Sequence, residues 1–198
     1  MSVSRAEMAA QARERRQLVA GLLAALEHRE PGALREADVV EAAEVSTTVF
    51  RAHFDDLDAC FDFACEAALD TILSPVVASR FVSRPPAARL AATLAALLGS
   101  LAARPRYAEL CLLHSPVRQA DRHTRRRLED AVAELLLDLR PLSAAAASQA
   151  GEAALARGLI GFIAADLADR PAEDLEGLHP RLLALLAPVF APDDGVIK

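Results

Sequence analysis

Between Val45 and Asp58 the chain reads Val-Ser-Thr-Thr-Val-Phe-Arg-Ala-His-Phe-Asp-Asp-Leu-Asp, and the chemistry of that stretch is hydrogen bonding. Thr47, Thr48, Arg51 and His53 bring hydroxyl, guanidinium and imidazole groups close together. A guanidinium can give two parallel N–H groups to O6 and N7 of a guanine, and a hydroxyl can serve donors or acceptors on any base edge. Upstream, Arg13, Arg15 and Arg16 form a cluster able to grip phosphates and fix a register on a duplex. Reaction chemistry is not indicated. No Ser-His-Asp or Cys-His arrangement, glycine-rich phosphate loop or metal spacing stands out. The expectation is a chain that is not an enzyme, with no catalytic residue, no metal site and no cofactor.

Those side chains need a short helix to hold them. Ser46 stands where such a helix needs an N-cap, since its hydroxyl can accept a backbone N–H that the first turn leaves unpaired. The spacing predicts a helix over 47–53, preceded by one over 33–43, with Glu44 and Val45 as the turn. Val39, Val45, Val49, Phe50 and Phe54 would lock the pair together, leaving Thr47, Thr48, Arg51 and His53 on the other faces. This is the pattern of a helix-turn-helix, whose second helix lies in the DNA major groove. Such turns want positive φ, so Glu44 in place of glycine should cost about 1 kcal/mol. Leu18, Leu22 and Leu26, flanked by Val19 and Leu23, predict an earlier helix over 7–28. Asp55, Asp56 and Asp58 suit the capping of a following helix rather than a metal site with His53.

The composition is helical in character. Alanine and leucine carry a hydrophobic content of 53%, while aromatics are 4% and tryptophan is absent, which favours helices over sheets. The net charge of −6 is not that of a generally basic nucleic-acid binder, so the arginine clusters must carry any such contact. Residues 1–54 hold seven arginines against eight acids. Cys60, Cys65 and Cys111 are odd in number and lack metal spacing, as expected of small buried hydrophobes in a reducing compartment. A polar, charged start and the lack of a long apolar run predict a soluble, cytoplasmic protein that does not engage a membrane.

The remaining sequence predicts six further helices. One runs over 57–81, with Pro75 expected to kink or split it. The next, 87–103, is apolar all round and should be buried all round. Tyr107–His114 forms a short sixth segment. The seventh, 118–139, opens on Arg118, Arg122, Arg125, Arg126 and Arg127, which suit a solvated face or ion pairs with Glu129, Asp130 and Glu134. The eighth, 144–168, contains Gly151, Gly158 and Gly161, whose recurrence suggests close backbone contact with another helix. The ninth, 172–190, spaces Leu175, Leu178, Leu182, Leu185 and Val189 by threes and fours, as an internal seam or half of a subunit interface. Residues 1–6 read as a loose arm and 191–198 as a polar tail.

On these features the chain resembles the tetracycline-repressor (TetR) family of bacterial transcriptional regulators. The likeness rests on the arginine-bearing first helix, on Val45-Ser46 and Phe50-x-x-x-Phe54, on the entry Asp56-x-Asp58-Ala59, and on an all-helical remainder ending in two long helices. It implies an all-α fold of about nine helices: a three-helix DNA-binding domain over 1–56, then an effector-binding and dimerisation domain over 57–198. It implies a homodimeric, ligand-responsive repressor that binds a double-stranded DNA operator and is released by a small apolar effector. Arg13, Arg15, Arg16, Ser46, Thr47, Thr48, Arg51 and His53 would make the DNA-binding set, with Arg51 reading guanine. Leu94, Leu98, Tyr107, Leu110 and His114 would line the effector pocket. Leu155, Gly158, Phe162, Leu175, Leu178, Leu182, Leu185 and Val189 would form the dimer interface. The acids of the N-terminal part motivate one alternative, a helical binding or interaction protein of this fold with weak or lost DNA affinity.

Overall fold

A computed structural model of the chain describes residues 5–79, 85–115, 122–139 and 149–190. Of the expected arm over 1–6, Arg5 and Ala6 are already helical, while residues 1–4, Arg118 and residues 191–198 lie outside the described residues. All described elements are helical: α1 (Arg5–Leu26), α2 (Glu36–Ala42), α3 (Thr47–His53), α4 (Leu57–Ser79), α5 (Pro86–Ala102), α6 (Pro105–Glu109), α7 (Arg122–Leu139), α8 (Gln149–Asp169) and α9 (His179–Phe190).

The leucine stripe of α1 is buried, with Leu18 and Leu22 wholly inaccessible. Each such side chain withdrawn from water contributes about 1.5–3 kcal/mol. The second helix begins later than the apolar pattern suggests. Pro31–Ala33 forms a 3-10 turn. The Asp38 carboxylate accepts the Arg35 backbone N–H at 2.9 Å and pairs with Arg29 at 2.9 Å, which sets the start of α2. The end of α2 is a Schellman turn. Glu44 has φ of 53°, its N–H reaches the Glu41 carbonyl at 3.1 Å, and the Val45 N–H reaches the Val40 carbonyl at 3.2 Å. Ser46 then caps α3 as its sequence position predicts, its Oγ accepting the Val49 N–H at 3.2 Å. Asp56 likewise caps α4, accepting the Ala59 N–H at 2.8 Å.

Pro75 neither ends nor splits α4, which runs on to Ser79 with Pro75 on its exposed side. The sixth segment is two pieces, α6 and a π-helical turn over Leu110–His114. The last segment is also divided. Ala172–Leu178 is 3-10 helix, and only His179 onward is α. Pro180 has no N–H to offer the Glu176 carbonyl, so the i→i−4 ladder cannot pass through that point.

α5 lies at the centre, packed on α4, α6, α7, α9 and the 3-10 segment before α9. Its Leu90, Leu94, Leu97, Leu98 and Leu101 are all buried. α7 packs on α8 and also reaches α4, where Arg127 pairs with Glu66. Arg125 and Arg157 share Glu129, at 3.1 and 3.4 Å, so part of the arginine cluster of α7 is held in ion pairs.

Two of the glycines expected to mark close helix contacts, Gly158 and Gly161, do not do so among the described residues. A Cβ added at Gly158 or Gly161 would meet nothing within 4 Å. The close approach is at Gly21 on α1, where an added Cβ would lie 2.5 Å from Ala43 Cβ and 2.7 Å from its nitrogen. Alanine is normally the better helix residue by about 1 kcal/mol. Gly21→Ala should nevertheless lower stability by about 1–3 kcal/mol through overpacking against α2. Glu44→Gly, which relieves the left-handed backbone, should raise it by about 1 kcal/mol. Urea unfolding midpoints check both, and a shift of the opposite sign in either would contradict the packing described.

Candidate functional site

The first three helices hold one another through side chains of α1. Gln17 Nε2 donates to the Ala43 carbonyl at 2.8 Å, which satisfies an orphan group at the end of α2. Glu14 Oε2 lies 2.6 Å from His53 Nε2 on α3. A carboxylate can only accept, so Nε2 carries the hydrogen. Phe50 is wholly buried, and tilted ring contacts run from Phe50 to Phe54 at 5.8 Å and on to Phe63 of α4 at 5.6 Å. Arg15 lies over the outer face of Phe63 at 5.4 Å. The polar N-terminal turn of α3 is thus carried on a rigid, apolar base.

The predicted binding residues divide once placed in this frame. Thr47 and Thr48 are exposed in the first turn of α3, and Arg13, Arg15 and Arg16 are exposed along α1. Ser46 is exposed, with its hydroxyl engaged in the cap. His53 is not an outward group. Its side chain is only 5% accessible and is tied to Glu14, because the seventh residue of this short helix turns back toward α1. Arg51 is outward but occupied. Its Nε is 3.1 Å from Glu36 Oε1, its Nη2 is 2.5 Å from Glu36 Oε2, and its Nη1 donates to the Asp55 carbonyl.

The predicted pocket is likewise redistributed. Leu94, Leu98 and Leu110 are packed into the core. Of the five residues only Tyr107 lines the surface cleft between α1, α6 and the 3-10 segment before α9, about 630 Å³ in volume. Its walls are Leu23, Pro105 and Tyr107 with the charged Glu27, Arg104, Arg106, Glu109 and Glu173, and an Arg106–Glu27 ion pair joins α6 to α1. Sequence periodicity could not find this cleft, since it is lined by residues from three separate segments. His114, in the π-helical turn, is half-buried. Burial lowers its pKa from the ordinary 6.5, against the opposing pull of the Glu109 and Glu30 carboxylates.

The predicted interface separates into two sides. Leu175, Leu178 and Leu182 face the interior and are at most 2% accessible. They pack toward α5, so they belong to an internal seam. Leu185 at 62% and Val189 at 38% point outward, Gly158 is exposed, and Leu155 and Phe162 are half-buried. Arg181 of α9 stacks on Phe162 of α8 at 5.3 Å, which joins the two helices at that point.

Cys60, Cys65 and Cys111 are buried free thiols, and burial pushes Cys60 up to about 12, which keeps it a protonated thiol. Among the described residues no group of three or more His, Cys, Asp or Glu side chains is placed to hold a metal ion, and no helix is long and apolar enough to cross a membrane. No family model and no curated protein matches the chain.

His114 generates a pH test. The unfolded chain protonates near 6.5 and the folded chain only at lower pH. Between those values the unfolded state holds more protons, so stability falls as pH drops through the window just below 6.5. Part of the stability lost between about pH 7 and pH 5 should therefore vanish in His114→Gln. Superimposable pH profiles for the two proteins would contradict this.

Proposed function

We propose that the chain is a dimeric, effector-controlled DNA-binding regulator that works in the cytoplasm. Residues 1–56 would be the DNA-binding part, and residues 57–198 the effector-binding and dimerising part. One observation carries the proposal: α3 is capped, and clamped to α1 and α4, with Thr47 and Thr48 left exposed at its N-terminal turn. A helix held from behind with polar groups at its front is what a major groove accepts. The exposed arginines of α1 are the phosphate-gripping groups of this reading.

The outward strip of Gly158, Phe162, Leu185 and Val189 supports a second copy as partner. Two such faces related by a two-fold axis would meet as helix pairs, with the glycines permitting close approach. We place the effector in the cleft beside Tyr107. Its lining suits a molecule with an apolar body and a charged end rather than a purely apolar one. A ligand there would bear on α1, which holds α2 through Gln17 and α3 through Glu14. Coupling of this kind is typically worth about 1–3 kcal/mol. Repression relieved by the effector is the simplest outcome of that linkage.

A second reading is favoured by one feature, the closure of Arg51 on Glu36 and of His53 on Glu14. It makes the chain a helical interaction protein without DNA affinity. Selection from a random duplex pool separates the two. The regulator should enrich a two-fold symmetric site whose halves lie about one helical turn, or a multiple of it, apart. A pool unchanged after repeated rounds would discard the regulator and leave the interaction protein.

A further inference from the structure

We propose that Glu36 is a specificity-determining residue, which presets the guanidinium of Arg51 to accept one guanine per half-site. The inference rests on the DNA-binding reading above and names how that surface discriminates. Glu36 opens α2 and Arg51 sits in the last turn of α3, so the pair spans the two helices. The Glu36 side chain is 20% accessible, whereas that of Arg51 is 55% accessible, so the carboxylate is the inner partner and the guanidinium the outer one.

The hydrogen count decides what the guanidinium can still do. Arginine has five N–H donors in a planar fork. Nε and Nη2 each give one to the two oxygens of Glu36, and Nη1 gives one to the Asp55 carbonyl. One donor remains on Nη1 and one on Nη2. With the Nη1 hydrogen nearer Cδ given to Asp55, the two left over lie side by side in the plane of the fork, and such a pair matches the O6 and N7 acceptors of guanine. Adenine presents an amino group where guanine has O6, so one of the two donors would meet another donor.

The same pairing removes the alternative uses of the side chain. A free arginine can swing to any phosphate and adds affinity without regard to sequence. Here the fork is held on two sides, and the Glu36 charge offsets that of Arg51. Little is left for phosphates, and the residual interaction is directional. In a segment that is acidic overall, this arrangement gives up non-specific attraction and keeps base selectivity. Preorganisation also means that the fork has less freedom to lose on binding.

The test uses the full chain and the duplex that the wild-type protein selects, with each G·C pair changed in turn to A·T. At one position per half-site the wild type should lose about 5- to 150-fold in affinity, and Arg51→Ala should abolish that ratio. Glu36→Ala should lower the ratio at the same position to below about 3-fold while binding of random duplex rises several-fold. Glu36→Gln, which keeps the shape and one acceptor, should fall between the two and guards against a folding artefact. If Glu36→Ala retains the full G-to-A ratio, or weakens binding equally to every duplex, Glu36 has no role in discrimination and the proposal is overturned. If the wild type selects no sequence, the regulator reading fails first and this inference with it.

Discussion

The N-terminal architecture depends on one close contact, Gly21 against Ala43. A side chain at residue 21 would occupy the space of the Ala43 backbone, so α1 and α2 reach this separation only with glycine there. From that contact the rest follows. With α2 this near, the Gln17 amide reaches the Ala43 carbonyl, and the Schellman turn at Glu44 then aims the chain into α3. With α3 so aimed, His53 meets Glu14, and Phe54 meets Phe63. α1 is therefore less a helix beside the others than the frame on which α2 and α3 are mounted.

Charge on this surface is used for placement more than for stability. Arg29 with Asp38, Arg51 with Glu36 and Arg106 with Glu27 are all partly or largely exposed pairs. Pairs of that kind are worth about 0–1 kcal/mol each. Their effect is to choose where cations end up. Arg29 helps start α2, Arg106 ties α6 to α1, and Arg51 is fixed in one orientation. Arg13, Arg15 and Arg16 are exposed along the first half of α1, with Arg15 stacked on Phe63.

The C-terminal part shows a comparable division of apolar groups. The leucines after Ala172 do not form one stripe with one purpose. The change from 3-10 to α geometry at His179 rotates the later residues relative to the earlier ones. Leu175, Leu178, Leu182, Leu186 and Phe190 stay inside, and Leu185 and Val189 turn out. A ring stacked under Arg181 and two open glycines continue the outward strip onto α8.

The sequence alone was enough for the helical class, the bounds of α3, the Ser46 cap, an acidic cap on α4 and the positive φ of Glu44. Each is decided by residues within about four positions of one another, through the helical period and the backbone groups left open at helix ends. It was not enough for the π-helical turn, nor for the later start of α2 and the 3-10 segment, where a carboxylate and a proline outweighed the apolar pattern. Nor could it show that His53 is taken by Glu14, 39 residues away, or that Arg51 is taken by Glu36, 15 residues away. Which donors stay available, which leucines face inward and where a cleft opens depend on elements far apart in the chain. Only their packing decided those, because a hydrogen bond or a buried face exists only once both partners have been brought within a few ångströms.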